Sequence, residues 1–187
     1  MKLRTCTLPL LLAGLLCPGA HAAPADTLAL ARQVNAQIVH KQMREEVDSF
    51  SRTFNDHTRL PADVPAACRT QLQEAVTRMY AAMVTHLKAG VEEPEYQRAL
   101  EQRLAEVYSS EQLKAFLARS ASADSDTAAL SAQVLAGPGL KAIQEAQHQK
   151  LLDGLDADSA TDPALRTALR AAGAAKDACQ RMQAEAG

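Results

Sequence analysis

His40, His57, His86 and His148 stand one to a segment, far from one another along the chain. A helix that binds metal through paired histidines places them at i and i+4, as in H-x-x-x-H or H-E-x-x-H, so that both rings leave the same face. Neither spacing occurs here, and each His reads as a surface or partly buried helix residue. Glu45, Glu46 and Asp48 form one acidic cluster and Glu92, Glu93 and Glu95 another. A solvated helix face or a helix N-terminus accounts for both without a catalytic carboxylate pair. No serine sits in a G-x-S-x-G elbow, and Gly137-Pro138-Gly139 lacks the Lys-Ser/Thr ending of a phosphate loop. Met43, Met79 and Met83 read as core rather than as a soft-metal or peptide surface. Local spacing therefore names no catalytic, cofactor-binding or metal-binding residue, and no cofactor is expected.

The cysteines carry more. Lys2 and Arg4 precede a short apolar run, Leu8–Leu16, and Ala20-His21-Ala22 makes an A-x-A cleavage site, so residues 1–22 read as a signal peptide. Cleavage after Ala22 leaves Ala23 first; cleavage one residue later would leave Pro24 there. A lipoprotein modified at Cys17 is the alternative, although Gly14-Leu15-Leu16 puts a bulky Leu where a lipobox wants a small residue. Cys6 and Cys17 leave with the signal. Cys68 and Cys179 remain, an even pair in an exported chain, and read as one disulfide. Two unpaired buried thiols are the rival reading. A metal site at either is less well supported, since no His lies within a few residues of them.

Residues 23–187 are expected to form a single helical domain, periplasmic or secreted. Losing Lys2 and Arg4 leaves 18 basic against 22 acidic residues, a net charge of −4. With no basic run interleaved with aromatics, nucleic acid is not an expected partner. No second apolar segment approaches the roughly 20 residues of a membrane span. Ala, Leu and Gln abound, while aromatic residues make up 3% of the chain. This composition predicts an all-α fold, a compact bundle of about five to seven helices with no sheet.

The elements follow from periodicity. A long first helix, capped at Asp26 or Thr27, carries Leu30, Val34, Ile38, Val39, Met43, Val47, Phe50 and Phe54 on a stripe that drifts around the axis. A second, with Pro65 as an early residue, carries Cys68, Leu72, Val76, Met79, Met83 and Leu87 and stops at Gly90. Pro94 opens a third. Past the polar stretch 120–127, a short helix covers about Ala128–Leu135, and the Gly137-Pro138-Gly139 break launches another through Leu140, Ile143, Gln147, Leu151 and Leu155. Asp162-Pro163 starts the last, whose apolar face is Leu165, Leu169, Ala172, Cys179 and Met182.

The chain is organised, on this reading, around Ala99–Ser120, where two short amphipathic helices meet at Tyr108-Ser109-Ser110. Ser109 and Gln112 have the spacing of a capping box. Tyr108 and Phe116 supply two of the six aromatics beyond the signal and are expected to pack in a shared core. LAEVYSSEQLKAFLA also resembles the core of the DUF2059 family of exported bacterial helical proteins, with Tyr108, Ser110, Glu111, Leu113 and Lys114 at the family's Tyr and Ser-Glu-Glu-Leu-Lys positions. The resemblance spans about residues 99–145. The family pattern continues to an aromatic pair, where this chain has Arg119 and Ser120, and to a Ser-Pro-x-Gly turn before Lys. Of that turn only Ser122 matches without a gap, or Gly139 and Lys141 with an insertion. It implies an exported helical domain with no catalytic residues to carry over.

Two functional classes fit. The favoured one is a non-enzymatic interaction or envelope-accessory domain whose interhelical groove engages a protein, peptide or lipid. The other is an enzyme or metal-binding protein whose site is assembled from distant helices, with Tyr80, Tyr108, His86 and Glu111 as raw material. An apolar groove with a polar rim would favour the first; a pocket lined by two or more titratable groups would favour the second. Oligomeric state is not legible.

Overall fold

The computed structural model describes residues 24–57, 60–62 and 64–186, so the expected signal peptide and its cleavage site lie outside the described residues. The helices are α1 (Ala25–Val34), a π-helical turn (Asn35–Val39), α2 (His40–His57), α3 (Ala66–Val91), α4 (Pro94–Val107), α5 (Ser110–Ser120), α6 (Thr127–Leu135), α7 (Leu140–Asp153) and α8 (Pro163–Ala186). No strand occurs among the described residues. The fold is all-α, and because α1, the π turn and α2 run on without a break, the described residues form seven rods.

That first rod explains the drifting stripe. At its middle the amide of His40 donates to the carbonyl of Asn35, five residues back rather than four. One extra residue is absorbed in that turn, and the faces of α1 and α2 are offset by it. Asn35 is buried there, and its Nδ2 donates to Gln97 Oε1 and to Glu101 Oε1 on α4 (3.4 Å for the latter). The start of α1 differs from expectation. The helix begins at Ala25 after Pro24, with no side-chain cap. Thr27 is instead buried, its Oγ1 2.9 Å from Ser110 Oγ, tying α1 to the first residue of α5.

The apolar residues divide into two clusters. The larger gathers Val34, Ile38, Val39, Leu100, Leu104, Leu113, Leu130, Val134 and Leu140, all fully or nearly fully buried, from α1, the π turn and α4–α7. The corner at the α4–α5 junction sits on it. Ser109 Oγ accepts from the Gln112 amide (3.3 Å) while Gln112 Oε1 accepts from the Ser109 amide (2.9 Å). Tyr108 meets Phe116 edge-on, ring centroids 5.2 Å apart, and donates its hydroxyl proton to the Val134 carbonyl at 2.7 Å. The hydroxyl leaves no room for a side chain at Gly137, and Gly139 takes φ +79°, a left-handed conformation that suits glycine. Leu113, not Phe116, is the fully buried residue of α5; Phe116 is half-buried at the edge of the cluster.

The smaller cluster joins α3 to α8 through Ala75, Ala172 and Ala175, with Leu72 and Met79 packed beside them. Few carbons are buried there. Cys68 and Cys179, both buried, are disulfide-bonded across the same seam with Cα atoms 5.4 Å apart, within the range such bonds require. Asp162 caps α8 as its sequence predicts, Oδ1 accepting from the amides of Ala164 (2.8 Å) and Leu165 (3.3 Å).

Two stability measurements check this division. Closing a loop of 111 residues is worth about 4.7 kcal/mol in the chain-entropy treatment. Cys68→Ser or Cys179→Ser should therefore expose the α8 amides to hydrogen exchange before those of α4–α6, and uniform loss of protection would contradict a separately held α8. Phe116→Ala, at a half-buried site, should cost roughly 2–3 kcal/mol, below the 3–5 typical of a full core deletion. An unmoved melting curve would show that the corner does not support the core.

Candidate functional site

The described residues form a cleft of about 720 Å³ where the last turn of α3, the start of α4, one side of α7 and the segment 154–161 come together. Pockets of small-molecule size run from about 300 to 1,000 Å³. Gly90 makes the cleft's floor possible. A Cβ at this position would overlap Leu151 Cδ2, so the absence of one lets α7 lie directly on α3.

Gln147 fixes that crossing. It is 6% exposed, and its Nε2 spends both protons, one on the Gly90 carbonyl (2.8 Å) and one on Glu93 Oε2 (2.9 Å). Lys150, one turn further along α7, places its ammonium on Glu93 Oε1. The Lys150 and Gln147 hydrogen bonds hold the Glu93 carboxyl below its usual range, outweighing the opposing effect of burial. Glu93 is thus ionised at neutral pH with both oxygens engaged, a poor general base and a good fixed charge. Glu92 pairs with Arg44 Nε (2.9 Å) and lies 3.2 Å from His40 Nε2. Asp153 Oδ1 accepts from Gln149 (2.7 Å), and the Asp153 carbonyl accepts the Ser159 hydroxyl proton. Ser159 is therefore not poised as a nucleophile.

Of the four residues that could have built a site from distant helices, only His86 lines this cleft. Its Nε2 is buried with no hydrogen-bond partner among the described residues, packed where a Cβ on Gly154 would come within 2.6 Å. Tyr108 is committed to the α6 carbonyls, and burial pushes its hydroxyl pKa up. Glu111 is exposed in the first turn of α5, its carboxyl lowered by its own backbone amide and by Ser109. Tyr80, half-buried on α3, lines neither the cleft nor the groove described next. Among the described residues no three His, Cys, Asp or Glu side chains are grouped to hold a metal ion, and no helix is long and apolar enough to cross a membrane.

A second, smaller concavity of about 270 Å³ lies on the other side of Gln147 and Leu151. Met43, Val47, Leu87 and Val91 form its apolar wall, with Glu46, Lys141 and His148 on its rim. Gln147 and Leu151 separate the two. Sequence reasoning missed the pair Glu93–Lys150 and the role of Gln147, because the partners lie 57 and 54 residues apart and each alone reads as a helix-surface polar group.

The lowered carboxyl of Glu93 has a signed consequence. Its contacts add stability above the unfolded-state value near 4.5, and that contribution disappears as pH falls through the lower folded-state value. Wild type should melt above Glu93→Gln at neutral pH, with the gap closing as pH falls below the unfolded-state value near 4.5. A gap independent of pH would show that ionisation of Glu93 does not hold the cleft wall. Compared with protein-family models, with curated proteins and with solved structures, the chain matches none, so the functional reading rests on the chemistry of the cleft.

Proposed function

We propose that this chain is an exported, disulfide-tied helical binding domain, non-enzymatic, that takes its ligand in the cleft between α3, α4 and α7. The carrying observation is the engagement of the cleft's polar groups: Glu93 is held by Gln147 and Lys150, and Ser159 by a backbone carbonyl, in a cavity of ligand size. Groups held in fixed hydrogen bonds orient a ligand well and transfer protons poorly. The Cys68–Cys179 bond supports export, since such bonds persist in oxidising compartments. The resemblance of residues 99–145 to the exported DUF2059 proteins would imply the same export and adds no residue roles.

The enzymatic alternative draws on the titratable lining of the cleft, where His86, Glu92, Glu93, Lys150 and Asp153 all border the cavity. His86 Nε2 is without a hydrogen-bond partner among the described residues, but no nucleophile is hydrogen-bonded to it there, and Ser159 is engaged by a backbone carbonyl. Ala146, an exposed residue of the cleft wall, allows a filling variant that spares the core. Native mass spectrometry of wild type recovered from the exported fraction should show an additional non-covalent mass that Ala146→Trp lacks, at unchanged helical circular dichroism. The same mass on both proteins, or bare protein from both, would overturn a binding role for the cleft.

A further inference from the structure

We propose that the cleft is selective for a small aliphatic ammonium ion, an inference that rests on the binding role just given and names its ligand class. The argument begins with fixed charge. Glu93 and Asp153 line the cavity with Lys150, whose ammonium answers Glu93, while Glu92 at the edge is paired with Arg44. Two helices, α3 and α7, end here, and a helix C-terminus carries a partial charge of about −0.5. The start of α4 contributes the opposite sign, but Glu93 precedes it and Glu95 occupies its first turn. An anion would enter against this field, and a cation with it.

Neutral hydrogen-bonding capacity points the same way. Gln147 is more than nine-tenths buried and has used both amide protons, so its remaining capacity is that of the acceptor Oε1. An ammonium brings three donors and no acceptor. Lys150 already shows an alkylammonium seated on Glu93, and its side chain is 61% exposed, free to leave for solvent when another cation arrives. Beside these groups Ala89, Pro94, Ala146 and Leu151 offer an apolar wall for a hydrocarbon chain. No Phe or Tyr lines the cavity, so the platform on which sugars and planar rings stack is missing among its lining residues.

Lys150 is then an internal competitor, and removing it has a sign that a structural role would not produce. In titrations of the whole mature protein with 1,5-diaminopentane, followed by calorimetry and by amide shifts, changes should map to residues 86–94 and 146–161. Pentanoate, of equal chain length, should produce none. Lys150→Gln should tighten diaminopentane binding by about threefold, and Asp153→Asn should weaken it by a similar factor, as expected for partly exposed charges. Weaker binding in Lys150→Gln, or equal binding of pentanoate, would overturn the ammonium assignment. If diaminopentane fails while native mass spectrometry finds another ligand that Ala146→Trp excludes, the ligand class alone is wrong; if neither appears, the binding role fails with it.

Discussion

The Cys68–Cys179 bond ties α8 to α3 across a seam whose buried cluster is made of alanines. Ala75, Ala172 and Ala175 form the buried cluster between the two helices, with Leu72 and Met79 only partly buried beside them, and burying an Ala removes far less apolar surface from water than burying a Leu such as the fully buried Leu165 of α8. The larger cluster needs no such help, because Ile38, Leu100, Leu104, Leu113 and Leu140 bury branched side chains completely. A covalent crosslink acts chiefly on the unfolded chain, whose freedom it reduces. It therefore supplements a thin interface without asking the folded state for more contacts.

The same economy at α3 has a structural use at the helix's other end. A 26-residue helix is about 39 Å long, enough to reach from the disulfide to the cleft. Its first half is fixed by α8 and its last turns by α7, through Gly90 and Leu151 on one level and Gln147 on the next. The cleft's polar groups thus stand on helices anchored at two places. Groups held this way lose little freedom when a ligand arrives, which is what pre-organisation contributes to affinity.

What was legible in the sequence was whatever depends on neighbours along the chain or on counting. Ser109 and Gln112 face one another across a single turn, and Asp162-Pro163 caps and starts α8 within three residues. The cysteine pairing followed from arithmetic once the signal was set aside. The π turn was not legible, because a five-residue hydrogen bond at Asn35 changes the register without demanding any residue type. Tyr108 and Phe116 do pack together against the core, but their half-burial was not legible, because periodicity says which side faces the core and not how far from its edge a residue lies. The cleft was invisible for want of sequence proximity. Glu93 was one member of an acidic cluster that a helix start explains, and nothing local distinguished it from Glu92 or Glu95.

Burial and pairing together separate those three carboxylates. Glu95 lies exposed in the first turn of α4, where it complements the helix dipole. Glu92, half exposed, pairs across to Arg44 and His40 and so joins α3 to the first rod. Glu93 turns the other way, 23% exposed, and meets two residues of α7. One turn of chain thus sends adjacent carboxylates to opposite sides of α3, one to bind the bundle and one to charge the cleft. The ion pair at Glu93 contributes little stability, since Lys150 is well solvated. Its effect is on the cavity: a carboxylate kept ionised and correctly aimed, answered by an ammonium that water can take away.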